Sequence, residues 1–179
     1  MIYMFFANGF EEIEALATVD VLRRCEFDVK MVNIDPTDIS IGAHDIPILT
    51  DTTFTDEDFE DLDAIILPGG MPGAQFLMEC DPLCELIQKK YAEGKLIAAI
   101  CAAPMVLSHC GLLKDKRVTC YPGVETQLKD AVYTAKKVEV DGNIVTGCGP
   151  AAACDFAFEI VRQLGAPDKA EQVRKAMQF

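Results

Sequence analysis

The chain has 179 residues, half of them hydrophobic, and a formal net charge of −13 at pH 7. That length suits one domain that buries about 70% of its unfolded surface without staples, and no segment is low in complexity. The acidic balance excludes nucleic acid as an expected partner, because phosphate binding needs clustered Lys and Arg. Much of the acid falls in residues 50–61, which read as a solvated edge.

In chain order, residues 2–6 form a first strand, broken by Ala7-Asn8-Gly9. They are too short for a signal peptide, and no apolar run reaches the length of a membrane span, so no membrane partner is expected. Residues 10–26 carry Ile13, Leu16, Ala17, Val21 and Leu22 at helical spacing, with Glu11, Glu12 and Glu14 crowding the first turn. Residues 27–34 are a second strand, so the unit is βαβ with a right-handed crossover and a parallel sheet. Residues 35–61 are irregular, with a strand-like piece at 46–49 that suggests a hairpin or a partner contact. A buried strand at 63–67 ends in Pro68-Gly69-Gly70, and helices follow at 73–78 and 82–93.

Residues 95–109 organise the chain. Leu96, Ile97 and Ile100 make a strand with both faces apolar, and Pro104 suits the first turn of a helix running to Gly111. Cys101 therefore stands at a strand-to-helix elbow kept open by Ala99, Ala102 and Ala103, the logic of a nucleophile elbow. A short strand at 117–120 stops at Tyr121-Pro122-Gly123. A hairpin at 137–146 turns at Asp141-Gly142-Asn143. Gly147-Cys148-Gly149-Pro150 opens a helix over 151–164, and a last helix covers 167–179. The reading is one α/β domain, a three-layer sandwich on a mostly parallel central sheet.

Ligands of such sheets bind outside the carboxyl ends of the strands. Asn8-Gly9, Gly69-Gly70, Cys101-Ala102, Tyr121-Pro122 and Cys148-Gly149 all fall on that edge. The amides of Gly70 and Ala102 are expected to converge on one spot beside the Cys101 sulfur, as an oxyanion hole. Glu14, one turn into the first helix, is expected to be buried, protonated and able to donate to a thiolate. Cysteine hydrolases use a histidine base, and this chain has only His44 and His109. His109 lies about 12 Å along the helix from Cys101 at roughly 1.5 Å per residue. His44 could reach the site through loop folding or from a second subunit. Eight cysteines without C-x-x-C or zinc-ribbon spacing point to a reduced, cytoplasmic chain.

These stretches resemble the ThiJ/PfpI superfamily, in the branch of the parkinsonism-associated protein deglycase. The matching residues are Gly9-Phe-Glu-Glu-Ile-Glu14, Val19-Asp-Val-Leu-Arg-Arg24, Leu67-Pro-Gly-Gly70 with Gly73-Ala-Gln75, Ile97-Ala-Ala-Ile-Cys-Ala-Ala-Pro104, and Gly149-Pro150 with Asp155-Phe-Ala157. The resemblance implies a single class I glutamine amidotransferase-like domain over residues 1–179, with a flavodoxin-like fold, a homodimer and no cofactor. It implies Cys101 as an easily oxidised nucleophile, Glu14 as its protonated partner, and Gly70 and Ala102 as amide donors. Implied activities are glyoxalase or deglycase chemistry on small aldehydes and glycated thiols or amines, with chaperone function and oxidative-stress sensing as alternatives. Three positions depart from the family pattern: Tyr121 replaces a histidine, Cys148 an arginine, and His44 aligns with a pocket arginine. Their loss leaves slower carbonyl–thiol chemistry or redox sensing. A third reading joins Cys101, Cys148 and His44 of the partner subunit in a copper or zinc site, against a simpler expectation of unliganded thiols around a polar pocket lined by Gly69.

Overall fold

In the computed structural model, which describes residues 1–179, β1 (Ile2–Phe6) is followed by α1 (Glu12–Arg24) and β2 (Val29–Asn33). A hairpin of β3 (Ile39–Ile41) and β4 (Pro47–Leu49), then β5 (Thr52–Thr53), precede β6 (Ala64–Leu67). Helices α2 (Gly73–Glu79) and α3 (Asp81–Ala92) lead to β7 (Leu96–Ile100) and α4 (Pro104–His109). Strands β8 (Arg117–Val118), β9 (Val132–Tyr133), β10 (Val138–Asp141) and β11 (Ile144–Gly147) come next, and α5 (Ala153–Gln163) and α6 (Pro167–Ala176) close the chain.

Seven strands form one sheet in the order β10-β11-β7-β6-β1-β2-β5. Every neighbouring pair is parallel except β10 and β11. The pleat divides the core in two. Ile2, Met4, Phe6, Ile66 and Ile100 pack with residues of α1 and α5, including Leu22, Phe156 and Ile160. Tyr3, Phe5, Ile65, Leu67 and Ile97 pack with residues of α2, α3 and α4, including Leu77, Ile87 and Val106. Both faces of the central strands are covered, and that explains their unbroken apolar sequences. The architecture is the expected α/β sandwich with a mostly parallel sheet.

Several details correct the sequence reading. Helix α1 begins at Glu12 with Glu11 as its N-cap, and it does not bury the stripe through Ile13 and Leu16. Those two are 58% and 37% exposed, whereas Ala15, Thr18, Val19 and Leu22 face the core. At 100° per residue the helix carries two apolar faces, one inward and one outward. The acidic run is only partly solvated. Phe54 and Phe59 stack with each other and with Phe5, and Glu57 accepts from Lys30 Nζ at 2.8 Å and from Tyr3 OH at 3.1 Å. The strand expected at 117–120 is shorter and pairs with β9 outside the main sheet. Thr119 leaves that ladder, its amide donating to Thr146 Oγ1 at 2.9 Å.

Candidate active site

Cys101 follows β7 directly and sits in the left-handed region at φ 63°. Such a conformation costs a non-glycine residue roughly 1–2 kcal/mol, so its neighbours must hold it. The Cys101 amide donates to the Gly147 carbonyl at 2.9 Å, and its own carbonyl accepts from the Tyr121 amide at 2.9 Å. Pro104 opens α4 within its first turn. The expected elbow is present, with β11 on one side and the Tyr121 loop on the other.

The sulfur is almost covered, Cys101 being 9% exposed. The amides of Gly70 and Ala102 are directed at it, and neither has a backbone acceptor. Gly70 is left-handed at φ 91°, and a β-carbon there would lie 2.3 Å from the Glu11 nitrogen. Only glycine brings this amide so close. Gly69 fills the space between nucleophile and acid. A β-carbon on Gly69 would meet Cys101 Cβ at 2.6 Å and Glu14 Oε2 at 2.7 Å.

Glu14 is fully buried. Its amide donates to Glu11 Oε2 at 2.7 Å, which fixes the first turn of α1, and its Oε2 accepts from the Gly69 amide at 2.8 Å. Its Oε1 has no hydrogen-bond partner, and the Cys101 thiol is close enough to interact with the carboxyl group. Burial pushes Glu14 up from 4.5 to about 7. Burial, then the neighbouring Glu14 charge, pushes the Cys101 thiol up, and the two amides pull it down. Burial is the largest cause of both rises, with the Glu11 charge adding to that of Glu14 and the Glu14 charge to that of Cys101. The pair therefore keeps one proton and titrates as a unit.

The remaining sequence candidates are spread around this centre. Tyr121 is half exposed, and a β-carbon on Gly149 would lie 3.3 Å from its ring. Cys148 is half-buried and its amide donates to the Lys137 carbonyl at 3.0 Å. His44 reaches α1 of its own chain: its amide donates to Glu12 Oε1 at 2.7 Å, and Nδ1 lies 2.6 Å from Glu12 Oε2. The imidazole is raised by that carboxylate. Glu12, which burial alone would raise, is brought below its ordinary value by the two His44 hydrogen bonds. Sequence reasoning missed Glu12 because a first-turn acid already has an explanation in the helix dipole. His109 ends α4 and lines a separate cavity of about 340 Å³ with Met78, Met105 and Lys129. Within one chain His44 is thus committed to Glu12, and Cys101 and Cys148 gain no third metal-binding donor; the three-donor group that does form is Glu11, Glu12 and His44.

No helix is long and apolar enough to cross a membrane. The model of the DJ-1/PfpI family matches residues 1–163. Protein DJ-1 homolog B of Arabidopsis thaliana is 38% identical over 170 residues, 93% of this chain, yet this chain spans only 39% of that relative's length. Protein dj-1beta of Drosophila melanogaster is 34% identical over 96% of this chain and 92% of its own. A relative named glutathione-independent glyoxalase DJR-1.2, from Caenorhabditis elegans, is 34% identical over 93% and 89% of the two chains. Among solved structures, Drosophila melanogaster DJ-1beta superposes with a TM-score of 0.96 at 33% identity, covering 99% and 97% of the two chains. A DJ-1 superfamily protein of Salmonella typhimurium gives 0.94 at 32% identity over the same shares. In sequence and in fold, the chain belongs to the DJ-1/PfpI family.

Proposed function

We propose that the protein acts on small reactive carbonyls, in a glyoxalase- or deglycase-like reaction, through a thiolate at Cys101. The observation that carries this reading is the buried Glu14 carboxyl interacting with a thiol at which two backbone amides are directed. The thiolate adds to an aldehyde carbon, the carbonyl π pair moves to oxygen, and the protonated Glu14 carboxyl delivers the proton that makes a neutral hemithioacetal. Glu14 is then a carboxylate next to the adduct, placed to take the carbon-bound proton of a 2-oxoaldehyde. The amides of Gly70 and Ala102, released as sulfur charge becomes a bond, turn to the new oxygen. The printed name of the Caenorhabditis elegans relative supports this substrate class. Purified protein given methylglyoxal should form lactate, and Cys101→Ala should not; equal lactate from both would overturn the proposal.

A second reading, peroxide sensing at the same sulfur, is favoured by the absence of an imidazole at the site. His44 is held by Glu12 and His109 lies at the far end of α4. Either reading requires a reducing, cytoplasmic setting in which Cys101 stays a thiol.

The functional unit in this proposal is a homodimer. Ile13 and Leu16 on α1, with Ile39, Ile41, Ile46 and Leu49 of the β3–β4 hairpin, are all at least 37% exposed. The hairpin is docked on the start of α1 by Gly9 N to Ile41 O at 2.7 Å and Ala43 N to Phe10 O at 2.8 Å. The two apolar faces therefore adjoin, and a second copy of the chain is the occupant that fits.

A further inference from the structure

Strand β11 reads Ile144-Val145-Thr146-Gly147 and is buried along its whole length. Thr146 pairs with Ala99 of β7 on one side and with Glu139 of β10 on the other. By strand alternation its side chain shares a face with Ile144, which packs in the layer of α2, α3 and α4. Valine has the same shape and would suit that apolar layer, because a hydroxyl is costly there unless it is hydrogen-bonded. The Thr146 hydroxyl has such a bond: its Oγ1 accepts from the Thr119 amide at 2.9 Å. Thr119 is itself fully buried, and its own Oγ1 donates to the Lys136 carbonyl at 2.6 Å. Two residues further on, the Tyr121 amide donates to the Cys101 carbonyl at 2.9 Å. The next residue of β11, Gly147, accepts from the Cys101 amide at 2.9 Å. Both ends of the Cys101 backbone therefore trace to two successive residues of β11, one directly and one through the segment 119–121.

We infer that Thr146 and Thr119 are positioning residues for the Cys101 nucleophile, acting through the backbone of Tyr121. The inference rests on the reading of Cys101 as the reacting thiol. Cys101 stands at φ 63°, a conformation that a residue with a β-carbon does not hold unaided. The strand that leads into the segment 119–121 is β8, which is two residues long and pairs with β9 outside the main sheet. The Thr146 hydroxyl ties the segment to the main sheet. Release of Thr119 frees the Tyr121 amide to withdraw from the Cys101 carbonyl, and the elbow then relaxes toward an ordinary backbone conformation. That rotation carries the sulfur away from the amides of Gly70 and Ala102, the two groups that pull the thiol toward its charged form. Both threonines act through other residues and are not catalytic.

The test is the rate at which iodoacetamide alkylates Cys101, followed by peptide mass spectrometry across pH, in the wild type, Thr146→Val, Thr146→Ser and Thr119→Val. Valine keeps the shape of threonine and removes the hydroxyl, whereas serine keeps the hydroxyl. Thr146→Val should be alkylated about tenfold more slowly at neutral pH, on the scale of one lost hydrogen bond, with the midpoint of its pH profile moved up. Thr146→Ser should keep the wild-type rate and midpoint. Thr119→Val, which cuts the tie to Lys136, should move both in the same direction, and it carries the test if Thr146→Val does not fold. Two results overturn the inference. One is a wild-type rate and midpoint in folded Thr146→Val. The other is equal slowing in Thr146→Val and Thr146→Ser with the midpoint unmoved, the mark of loosened packing alone. If wild-type Cys101 takes no iodoacetamide at any pH, the reactive-thiol reading falls and the inference with it. The expected alkylation pattern without lactate from methylglyoxal removes the proposed reaction and leaves the inference standing.

Discussion

The amide of Gly69 donates to Glu14 Oε2 at 2.8 Å, and this bond holds the carboxyl group beside Cys101, whose thiol interacts with it. Glu14→Gln keeps a neutral donor there and removes the charge that raises the thiol. Alkylation of Cys101 by iodoacetamide should therefore persist and extend to lower pH. Lactate formation should fall about 100-fold or more, since the proton shuttle is gone. A parallel loss of both would show that Glu14 acts only by holding the fold.

The same carboxyl makes stability depend on pH. Its value in the fold, about 7, lies above 4.5 in the open chain, so the folded state holds more protons in between. Its contribution is fully present below about 4.5 and is lost as pH rises through about 7, a difference of about 3 kcal/mol. Urea unfolding at pH 5 and pH 8 should show this loss in the wild type and not in Glu14→Gln.

Gly69→Ala tests the close packing between acid and sulfur. Its β-carbon would stand 2.6 Å from Cys101 Cβ and 3.0 Å from the Ala102 nitrogen. Overpacking of that kind costs about 1–3 kcal/mol. Melting temperature should drop and Cys101 alkylation should slow, because relief requires the thiol or the Ala102 amide to move.

His44 is raised from its ordinary 6.5 by Glu12. Glu12→Gln should return the imidazole titration, followed by NMR, toward that value. An unchanged titration would mean that the hairpin leaves α1 in solution.

The dimer reading makes its own prediction. Leu49→Glu places a charge on a side chain that is 70% exposed in the single chain. It should leave the melting temperature of the fold near the wild-type value and shift the sedimentation mass from dimer to monomer.

Cys101→Gly and Cys101→Ala differ by one methyl group at a left-handed residue. The glycine variant should be the more stable by about 1 kcal/mol in urea unfolding. Equal stabilities would mean that the elbow relaxes when the thiol is removed.

Much of this architecture could be read from the chain. Strands such as Ala64–Leu67 and Leu96–Ile100 are apolar on both pleat faces, and Gly142 at φ 63° makes the expected hairpin turn. The placement of Cys101 and Glu14 at one sheet edge was legible because a strand-to-helix elbow and the first turn of the helix after β1 both fall at the carboxyl ends of the parallel strands. The outward face of α1 was not, since Ile13 and Leu16 fit helical periodicity as well as the core residues do. The Glu12–His44 pair was not legible either. It spans 32 positions and depends on how the β3–β4 hairpin folds back, which local pattern does not encode. Strand β9, two residues long, is too short to leave a periodic signal.

The left-handed backbone at Cys101 has a consequence for how this chain can drift. Selection for folding alone favours glycine at position 101, since glycine relieves the conformation at φ 63° without a clash. A lineage that no longer needed sulfur there would gain stability with the first such substitution. The thiol thus stands on a thermodynamic slope that runs away from it.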